Sequence, residues 1–410
     1  MSSRFGRHVG LLCVLSLPAC DSTRPSVRHQ DETGDTAGKS SATAVDGGVG
    51  AGGSNAPGSA GAAGSSDPAN AGRAGAAGAS SGACNLDGLA DLNLFSPSWD
   101  ALGYPPYAIE ACTLVYVAAE DGGGALRLRN LATGEDLLLE AAANHPRRPT
   151  LSSGVIAWER DGAGGSEVSV VTTTPARTRH FEQAGEPRAA WNAVVFTRFL
   201  GAGPTDDTDV MLYDVDQDVV APMGTGAAQQ RFADISTTHV AFTDFSEDAK
   251  GYFDPGGSIS DIVVVERESG QLTVRGAPGK QAFPLLGHSG VLAYLDWGAV
   301  HPEPKFSQFH LKAGNVNEPV SADVNVKPDG LVSADPAYAR PSLNGLYLDF
   351  VDRPSQAPQL YRVTLGSGTA PTPVPIANAT RLFGPVATAS LTLVARQGQD
   401  QSLSLVAIVR

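Results

Sequence analysis

Carboxylates and aromatic rings are concentrated in three long polar stretches near the middle of the chain, at 197–208, 243–260 and 295–306. Carboxylates can bind cations or transfer protons, and exposed aromatic rings can stack on a peptide or a sugar. We expect these stretches to form a partner- or ligand-binding surface with exposed rings. The residues expected in it are Asp206, Asp207, Tyr252, Phe253, Asp254, Trp297 and Phe306. The alternative is neutral variation at tolerant loop tips.

Motifs for catalysis or metal binding are absent or incomplete. The histidines are scattered without an HExxH pattern, and there is no GxSxG motif. The segment DVDQDV at 214–219 begins like a calcium loop, but Val219 replaces the required glycine and Thr225 the final glutamate. We interpret it as a solvated turn, and PTDDTD at 204–209 is a weaker calcium candidate. The sequence predicts no catalytic residue, no metal and no cofactor.

An eleven-residue motif, here called the phrase, occurs in seven copies along the chain. The copies predict the strands that position the carboxylates and aromatic rings. The phrase recurs at intervals of about 40 to 55 residues, the size of a four-stranded propeller blade. Strands with period-two alternation follow each copy, and ATGE at 132–135 and ESGQ at 268–271 predict hairpins. We predict an all-β, seven-bladed propeller, with six blades as the alternative. The copies end at Tyr116, Trp158, Phe196, Phe242, Tyr294, Phe350 and Val394.

Blade geometry places the long stretches on one face. If strands A to D run outward from the ring axis, the B–C loops and the D–A links emerge on the same side, and 314–339 is expected to be such a link. The chain ends one strand short of a complete seventh blade. Because an open edge strand promotes aggregation, we expect LADLNLFS at 89–96 to complete that blade, so that the two chain ends share a sheet.

Four cysteines are consistent with export from the cytosol. Cys13 lies in the N-terminal leader and Cys20 directly after it, in the lipidation motif described below, so Cys84 and Cys112 form an even remainder that favours one disulfide in an oxidising compartment. This bridge would lock the ring closure. Two unpaired thiols are the alternative, and a zinc site is poorly supported because no CxxC motif is present.

The first nineteen residues read as a signal peptide. Arg4 and Arg7 precede an apolar run from Val9 to Ala19 that is too short to span a bilayer. The following LPAC resembles the lipobox of bacterial lipoproteins, although Pro18 is unusual there. The resemblance implies that Cys20 is acylated and holds the protein on a membrane surface. An ordinary secretory signal is the alternative.

Residues 20–83 have the composition of a disordered linker. The stretch is dominated by Gly, Ala and Ser and lacks the apolar side chains that a core requires. The folded domain is therefore expected at 84–410. The formal net charge of −14 argues against binding to a nucleic-acid backbone.

The repeat resembles the TolB-type β-propeller repeat. The shared pattern is P-x-[LI]-S-x-x-x-V-A-[WF] followed by an acidic turn, and its fullest copy lies at 234–274. The resemblance covers about 105–410, although the SPDG turn common in such repeats is absent. It implies an envelope protein that binds other proteins.

Together these features predict a monomeric, lipid-anchored envelope protein that binds or scaffolds an envelope protein or a glycan. It would lie on the outer membrane or on the periplasmic face of the inner membrane. The alternative is a glycoside hydrolase or lyase that acts on polysaccharide, with an acid pair such as Asp206 and Asp254.

Overall fold

Short β-strands make up nearly all of the regular structure in the computed structural model. The structure describes residues 84–95, 102–121, 123–173, 176–224, 226–254, 259–275, 278–287, 290–298, 308–318, 322–324, 331–333, 340–353, 357–400 and 402–410. They belong to a unit that runs from Gly75 to Arg410. The signal peptide, Cys20, the linker at 20–83 and Phe306 lie outside the described residues, so the predictions made for them stay predictions.

The first four blades are antiparallel sheets of strands that are consecutive in the chain. Their strands are β1 (Tyr107–Glu110), β2 (Thr113–Glu120), β3 (Gly123–Asn130) and β4 (Asp136–Glu140); β5 (Arg147–Ser152), β6 (Val155–Gly162), β7 (Gly165–Thr173) and β8 (Ala176–Glu182); β9 (Ala184–Ala190), β10 (Ala193–Phe199), β11 (Thr208–Asp214) and β12 (Val219–Gly224); and β13 (Gln230–Ile235), β14 (His239–Asp244), β15 (Asp261–Glu266) and β16 (Leu272–Arg275). A single-turn 3₁₀ helix spans Ala142–Asn144.

The last three blades follow the same order with different strand numbers. Their strands are β17 (Gln281–Leu286), β18 (Val291–Asp296), β19 (Gln308–Asn315), β20 (Ala322–Asp323) and β21 (Leu331–Ser333); β22 (Ser342–Asn344), β23 (Tyr347–Asp352), β24 (Gln359–Thr364) and β25 (Thr372–Val374); and β26 (Arg381–Ala387), β27 (Leu391–Gln397) and β28 (Leu403–Val409). Both β20 and β21 pair with β19. The segment at 314–339, predicted as a simple link, therefore contributes outer strands to the fifth blade.

The sheets close into a seven-bladed ring, as predicted, and the six-bladed alternative is wrong. Each innermost strand contacts the innermost strand of the next blade, and β26 contacts β1. Every copy of the recurring phrase spans strands A and B of one blade. Its terminal aromatic packs between blades: Phe242 of the fourth blade lies in one core cluster with Val195 and Val210 of the third. The phrase recurs because each interface between blades needs such a wedge.

The predicted hairpins and the acidic turn are also confirmed. The turns at 132–135 and 268–271 join β3 to β4 and β15 to β16, with Gly134 and Gly270 at φ angles of 78° and 71°. Segment 214–219 joins β11 to β12, and the Asp214 carboxylate accepts the amide of Gln217 at 2.9 Å. That segment is a hairpin turn.

Prolines of the phrase lie in β-bulges of the innermost strands. The register of β5 shifts between Arg147 and Thr150, around Pro149, and the shift in β9 surrounds Pro187. Both prolines lie inside their strands and not at the first residue. A bulge takes its residue out of the ladder, so the missing amide has no cost there. Arg148 and Glu186, the residues before these prolines, have φ angles of 52° and 57°.

Ring closure differs from the prediction, because the described residues of the two chain ends do not share a sheet. The N-terminal segment pairs with β2: the Phe95 amide donates to the Val117 carbonyl at 3.1 Å, and Leu94 bridges Ala118. Strand β1 pairs only with the first half of β2, so the second half offers a free edge to this segment. The described part of the seventh blade has three strands.

Side-chain packing joins the first and last blades instead. The leucines of the N-terminal segment share a core cluster with residues of both blades, among them Leu405. The Tyr107 hydroxyl donates to the Gly384 carbonyl at 2.7 Å and accepts the Ala395 amide at 2.9 Å. Cys84 and Cys112 form a disulfide, the pairing that the sequence favours. The bridge ties the N-terminal segment to the β1–β2 turn, so its predicted role as a lock between the chain ends is wrong.

Candidate functional site

The predicted acidic residues of the third blade bind amides of their own loop. Asp206 is exposed, and its Oδ2 accepts the amide of Gly203 at 2.7 Å. Asp207 Oδ1 accepts the amide of Thr208 at 2.8 Å, and burial raises the pKa of this carboxyl. Such contacts stabilise turns. The geometry of these two residues is that of loop caps.

Tyr252 and Asp254 flank an exposed lysine of the fourth blade. Lys250 Nζ lies 2.8 Å from Asp254 Oδ2 and 5.8 Å from the centre of the Tyr252 ring. An exposed pair of this kind contributes little to stability. Tyr252 is half-buried, so part of its ring remains accessible to a partner.

Two other predicted aromatics, Trp297 and the partly buried Phe253, pack in one aromatic cluster. Only 1% of Trp297 is exposed, so the expectation that this ring is exposed is wrong. Phe253 packs edge-on against Phe232 and Phe283, with ring centroids 4.9 and 6.2 Å apart. Trp297 lies 6.3 Å from Phe283. Large rings stabilise a fold most when they are removed from water, and here they pack where the fourth and fifth blades meet.

Gln229 holds two of the predicted loops together. The side chain is 1% exposed, and its Nε2 donates to the carbonyls of Pro204 and Asp206 at 2.9 and 2.8 Å. Its Oε1 accepts the amide of Phe253 at 3.0 Å. The loops of the third and fourth blades are therefore adjacent, as predicted, and they are fixed by a buried amide.

Lys280 is buried within the aromatic cluster. Its ammonium lies 4.7 Å from the centre of Phe253 and 5.2 Å from that of Trp297, and it donates to the Asp254 carbonyl at 2.9 Å. Burial lowers the pKa of Lys280 to about 8, and the Asp254 charge offsets part of that effect. Cation–π contacts and one backbone carbonyl stabilise the charge of this ammonium.

Two buried carboxylates, those of Glu159 and Glu186, lie in the interior where the second, third and fourth blades meet. Glu159 lies 2.7 Å from both Arg147 and Arg148, and it accepts the Glu186 amide at 3.0 Å. Burial alone would raise the pKa of Glu159, but the two guanidinium groups outweigh it and lower the pKa. This group is therefore held ionised.

Glu186 of the third blade is bound in a similar way to Glu159 of the second blade. It is fully buried, pairs with Arg231, and accepts the Thr197 hydroxyl at 3.0 Å and the Phe232 amide at 3.1 Å. Arg231 and Arg148 overcome the effect of burial, so the pKa of Glu186 is lowered. Its bonds join strands of two neighbouring blades.

Tyr104 is surrounded by arginines from three different blades. Their guanidinium carbons lie close to the centre of its ring: Arg340 at 4.6 Å, Arg188 at 4.9 Å and Arg148 at 5.3 Å. The tyrosine is 2% exposed. We call these four residues the axial cluster, because they come from positions next to the innermost strands. Together with the aromatic rings described above they form the closed end of the channel.

A cavity of about 510 Å³ occupies the other half of the channel. Its walls come from the second halves of the innermost strands of all seven blades, and it reaches exposed residues of the A–B turns such as Ala111 and Ser390. We call this the open end. The lining includes Pro105, Glu110, Ser152, Arg188, Asp234, Asn344, Thr388 and Ser390. Concave sites lined by several elements are the usual places for ligands.

Trp191 stands at the rim of the open end. It follows Ala190, which lines the cavity, and 51% of its surface is exposed. Its φ is 55°, a left-handed conformation that is costly for a large side chain, and its amide donates to Ser152 Oγ at 2.9 Å. An exposed tryptophan beside a cavity is typical of a binding contact.

The carboxylates of the cavity wall link neighbouring blades. Glu110 Oε2 accepts the Ser153 amide at 2.6 Å, and Asp234 Oδ2 accepts the Leu286 amide at 2.7 Å. Among the described residues there is no group of His, Cys, Asp and Glu side chains that could hold a metal ion. The arrangement suits recognition by shape, by one exposed ring and by backbone and hydroxyl groups.

The binding residues predicted from the sequence lie at the closed end, whereas the cavity and Trp191 lie at the open end. The signal for Trp191 was present, because the phrase EPRAAWNAVVF has tryptophan at the turn position where the copy RPTLSSGVIAW has serine. A turn at the surface offers no core in which a large ring could pack. The tryptophan in place of serine could therefore have identified Trp191 as an exposed ring. Nothing in LGYPPY at 102–107 marks Tyr104 as an axial residue.

Comparisons with known proteins find similarity in the fold and none in the sequence families searched. No protein-family model matches the chain, and no curated protein matches its sequence. The β-propeller domain of the Trilobed protease from Pyrococcus furiosus, described as having an open velcro topology, matches 77% of this chain and 95% of its own length, with 13% identity and a TM-score of 0.56.

Two further matches have similar sequence identities. A prolyl endopeptidase matches 76% of this chain with 13% identity and a TM-score of 0.55, and the match spans 48% of that enzyme. TolB from Acinetobacter baumannii matches 62% of this chain and 61% of its own length, with 12% identity and a TM-score of 0.42. At such identities the shared feature is the propeller fold, which hosts many functions.

Proposed function

We propose that this chain is a non-catalytic binding module whose partner, an envelope protein or a glycan, occupies the open end of the channel. The cavity bounded by all seven blades, with Trp191 exposed at its rim, carries the proposal. At the closed end Tyr252 is half-buried, and part of its ring is accessible. The loop residues predicted from the sequence are thus a secondary contact surface in this proposal.

Affinity capture with matched variants tests which end binds. The full chain and three variants, Trp191→Ala, Tyr252→Ala and Leu272→Ala, are used to capture partners from the envelope fraction of the source cells. Leu272 is a control because it is 54% exposed on the outer strand β16. We expect Trp191→Ala to lower capture about tenfold or more, the size of a hot-spot loss, while Leu272→Ala matches the wild type.

The outcomes separate the two surfaces. Undiminished capture by Trp191→Ala together with a loss in Tyr252→Ala would move the site to the loop face and overturn the proposal. Protease treatment of the captured material distinguishes a protein partner from a glycan.

We propose further that the chain is anchored in the cell envelope through acylated Cys20. The LPAC sequence supports this, and no helix in the part of the chain that the structure describes is long and apolar enough to cross a membrane. Labelling with an alkyne fatty acid should mark the wild type and the Cys13→Ala variant but not Cys20→Ala. Equal labelling of Cys20→Ala would refute the anchor.

A further inference from the structure

Arg340 is a buried cation that the protein itself satisfies poorly. The residue is 2% exposed, and its one hydrogen bond to a described residue runs from Nη2 to the Pro284 carbonyl at 3.4 Å. Its Nε and Nη1 are buried without a hydrogen-bond partner in the described part of the chain. Arginine stays protonated in proteins, so the site cannot neutralise itself by releasing a proton.

The neighbouring arginines are better paired. Arg148 lies 2.7 Å from Glu159, and Arg231 pairs with Glu186. Arg188 reaches the Asp234 carboxylate at 4.0 Å. Among the described residues, Arg340 forms no ion pair with a carboxylate. Burying a charge is costly unless a counter-charge and hydrogen bonds accompany it.

Tyr104 offers a further unused donor beside Arg340. Its hydroxyl is buried and has no hydrogen-bond partner among the described residues, and its ring lies 4.6 Å from the Arg340 guanidinium carbon. Burial raises the pKa of this phenol, which keeps its proton in place. Three groups of this pair therefore have hydrogen-bond donors without a described partner, namely two guanidinium nitrogens and one hydroxyl.

We propose that a small monovalent anion, such as a halide or a carboxylate of acetate size, binds near the ring axis beside the stacked pair of Arg340 and Tyr104, at their buried donors without a described partner. The channel cavity gives a route to it, since Pro105, next to Tyr104, and Arg188, stacked on the Tyr104 ring, both line the cavity. The anion acts as the counter-charge of the axial cluster. The site goes beyond the proposed partner binding and does not depend on it.

Anion-dependent stability of the full chain tests the site. The thermal unfolding midpoint is measured at constant ionic strength while sodium gluconate, whose anion is too large to enter, is replaced stepwise by sodium chloride, bromide or acetate. We expect a saturable rise of a few degrees with at least one small anion, because a ligand that binds only the folded state stabilises it. Chloride NMR line broadening gives an independent readout of binding.

Three variants identify the site. Tyr104→Phe removes only the hydroxyl and should reduce the midpoint shift and the line broadening by about half or more, while Arg340→Met should abolish both. Arg129→Gln is the control, because this arginine is partly exposed on β3, away from the axis, and should keep the wild-type response. A wild type without saturable dependence on any small anion, or a full response in both Tyr104→Phe and Arg340→Met, would overturn the proposal.

Discussion

The two ends of the channel are built from the same repeated strands but in opposite ways. The closed end contains stacked aromatic rings, a buried lysine, and carboxylates held by arginines. The open end has hydroxyl groups, carboxylates bound to backbone amides, and one tryptophan that is half exposed. Trp297 and Trp191 represent the contrast, at 1% and 51% exposure.

This difference shows how one propeller can have residues for stability at one end of its channel and residues for recognition at the other. Residues of the closed end connect blades to each other, so their loss should weaken the whole domain. Trp191 at the open end is half exposed to solvent, so its loss should alter binding with little effect on folding. The following predictions test that division, from the largest expected effect to the smallest.

Replacing Trp297 by alanine should cost the most. Removal of a fully buried indole leaves a cavity and typically costs about 3–5 kcal/mol in the free energy of unfolding. Urea unfolding followed by circular dichroism measures this. The matched variant Trp191→Ala should change the free energy by no more than about 0.5 kcal/mol. Equal losses in the two variants would show that the ends do not differ in this way.

Glu186→Gln should cost about 3–5 kcal/mol, because it leaves the Arg231 charge buried without its partner. Since the folded-state pKa of Glu186 is lowered from 4.5, its stabilisation is complete above that ordinary value and disappears as the pH falls through the folded-state value. Urea unfolding at pH 7 and at pH 3 should therefore show a smaller penalty in acid. The control Glu182→Gln, at an exposed position of β8, should be neutral at both.

Lys280→Met should change how stability depends on alkaline pH. The folded state loses its proton near pH 8 and the unfolded state near 10.5, so wild-type stability should rise between these values, by up to about 3 kcal/mol. The variant lacks that rise. Urea midpoints from pH 7 to pH 10 measure it, and Lys250→Met serves as the exposed control. A parallel pH dependence in the wild type and Lys280→Met would contradict the assignment.

Trp191→Gly should also have a small effect on folding while it weakens binding. Glycine relieves the left-handed strain at φ 55°, which offsets its greater backbone entropy in the unfolded state, so the net change should stay within about 1 kcal/mol. Leu272→Gly, in a strand, should instead lose about 0.5–1 kcal/mol. Thermal unfolding of both variants, with capture assays on the same samples, makes the comparison.

The repeat made the propeller predictable, because a phrase that ends in a wedge aromatic must return once for each blade. Phe242 and its counterparts carried that information in their spacing. The side of the molecule on which each loop emerges also followed from strand order. Gln229 confirms the expected adjacency of the loops at Asp206 and Phe253.

The solvent exposure of the aromatic rings in the loops was not predictable from the repeat. Trp297 and Tyr252 both lie in long polar loops, and local sequence cannot tell which ring turns inward against the next blade. The axial cluster was also hidden, since Tyr104, Arg188 and Arg340 are far apart in the chain and meet only when the ring closes. The pairing of 89–96 was missed because the shortness of β1, which leaves half of β2 open, is not visible in the sequence.

Closure without a shared sheet has a consequence for how the chain folds. Every named strand pairs with strands close to it in sequence, so each blade can complete its ladder as soon as its own residues are available. The bonds of Tyr107 to Gly384 and Ala395 span nearly the whole domain, so they require the seventh blade to be present. Local contacts favour rapid folding, and a nascent domain of this design need not hold an early strand unpaired until synthesis ends.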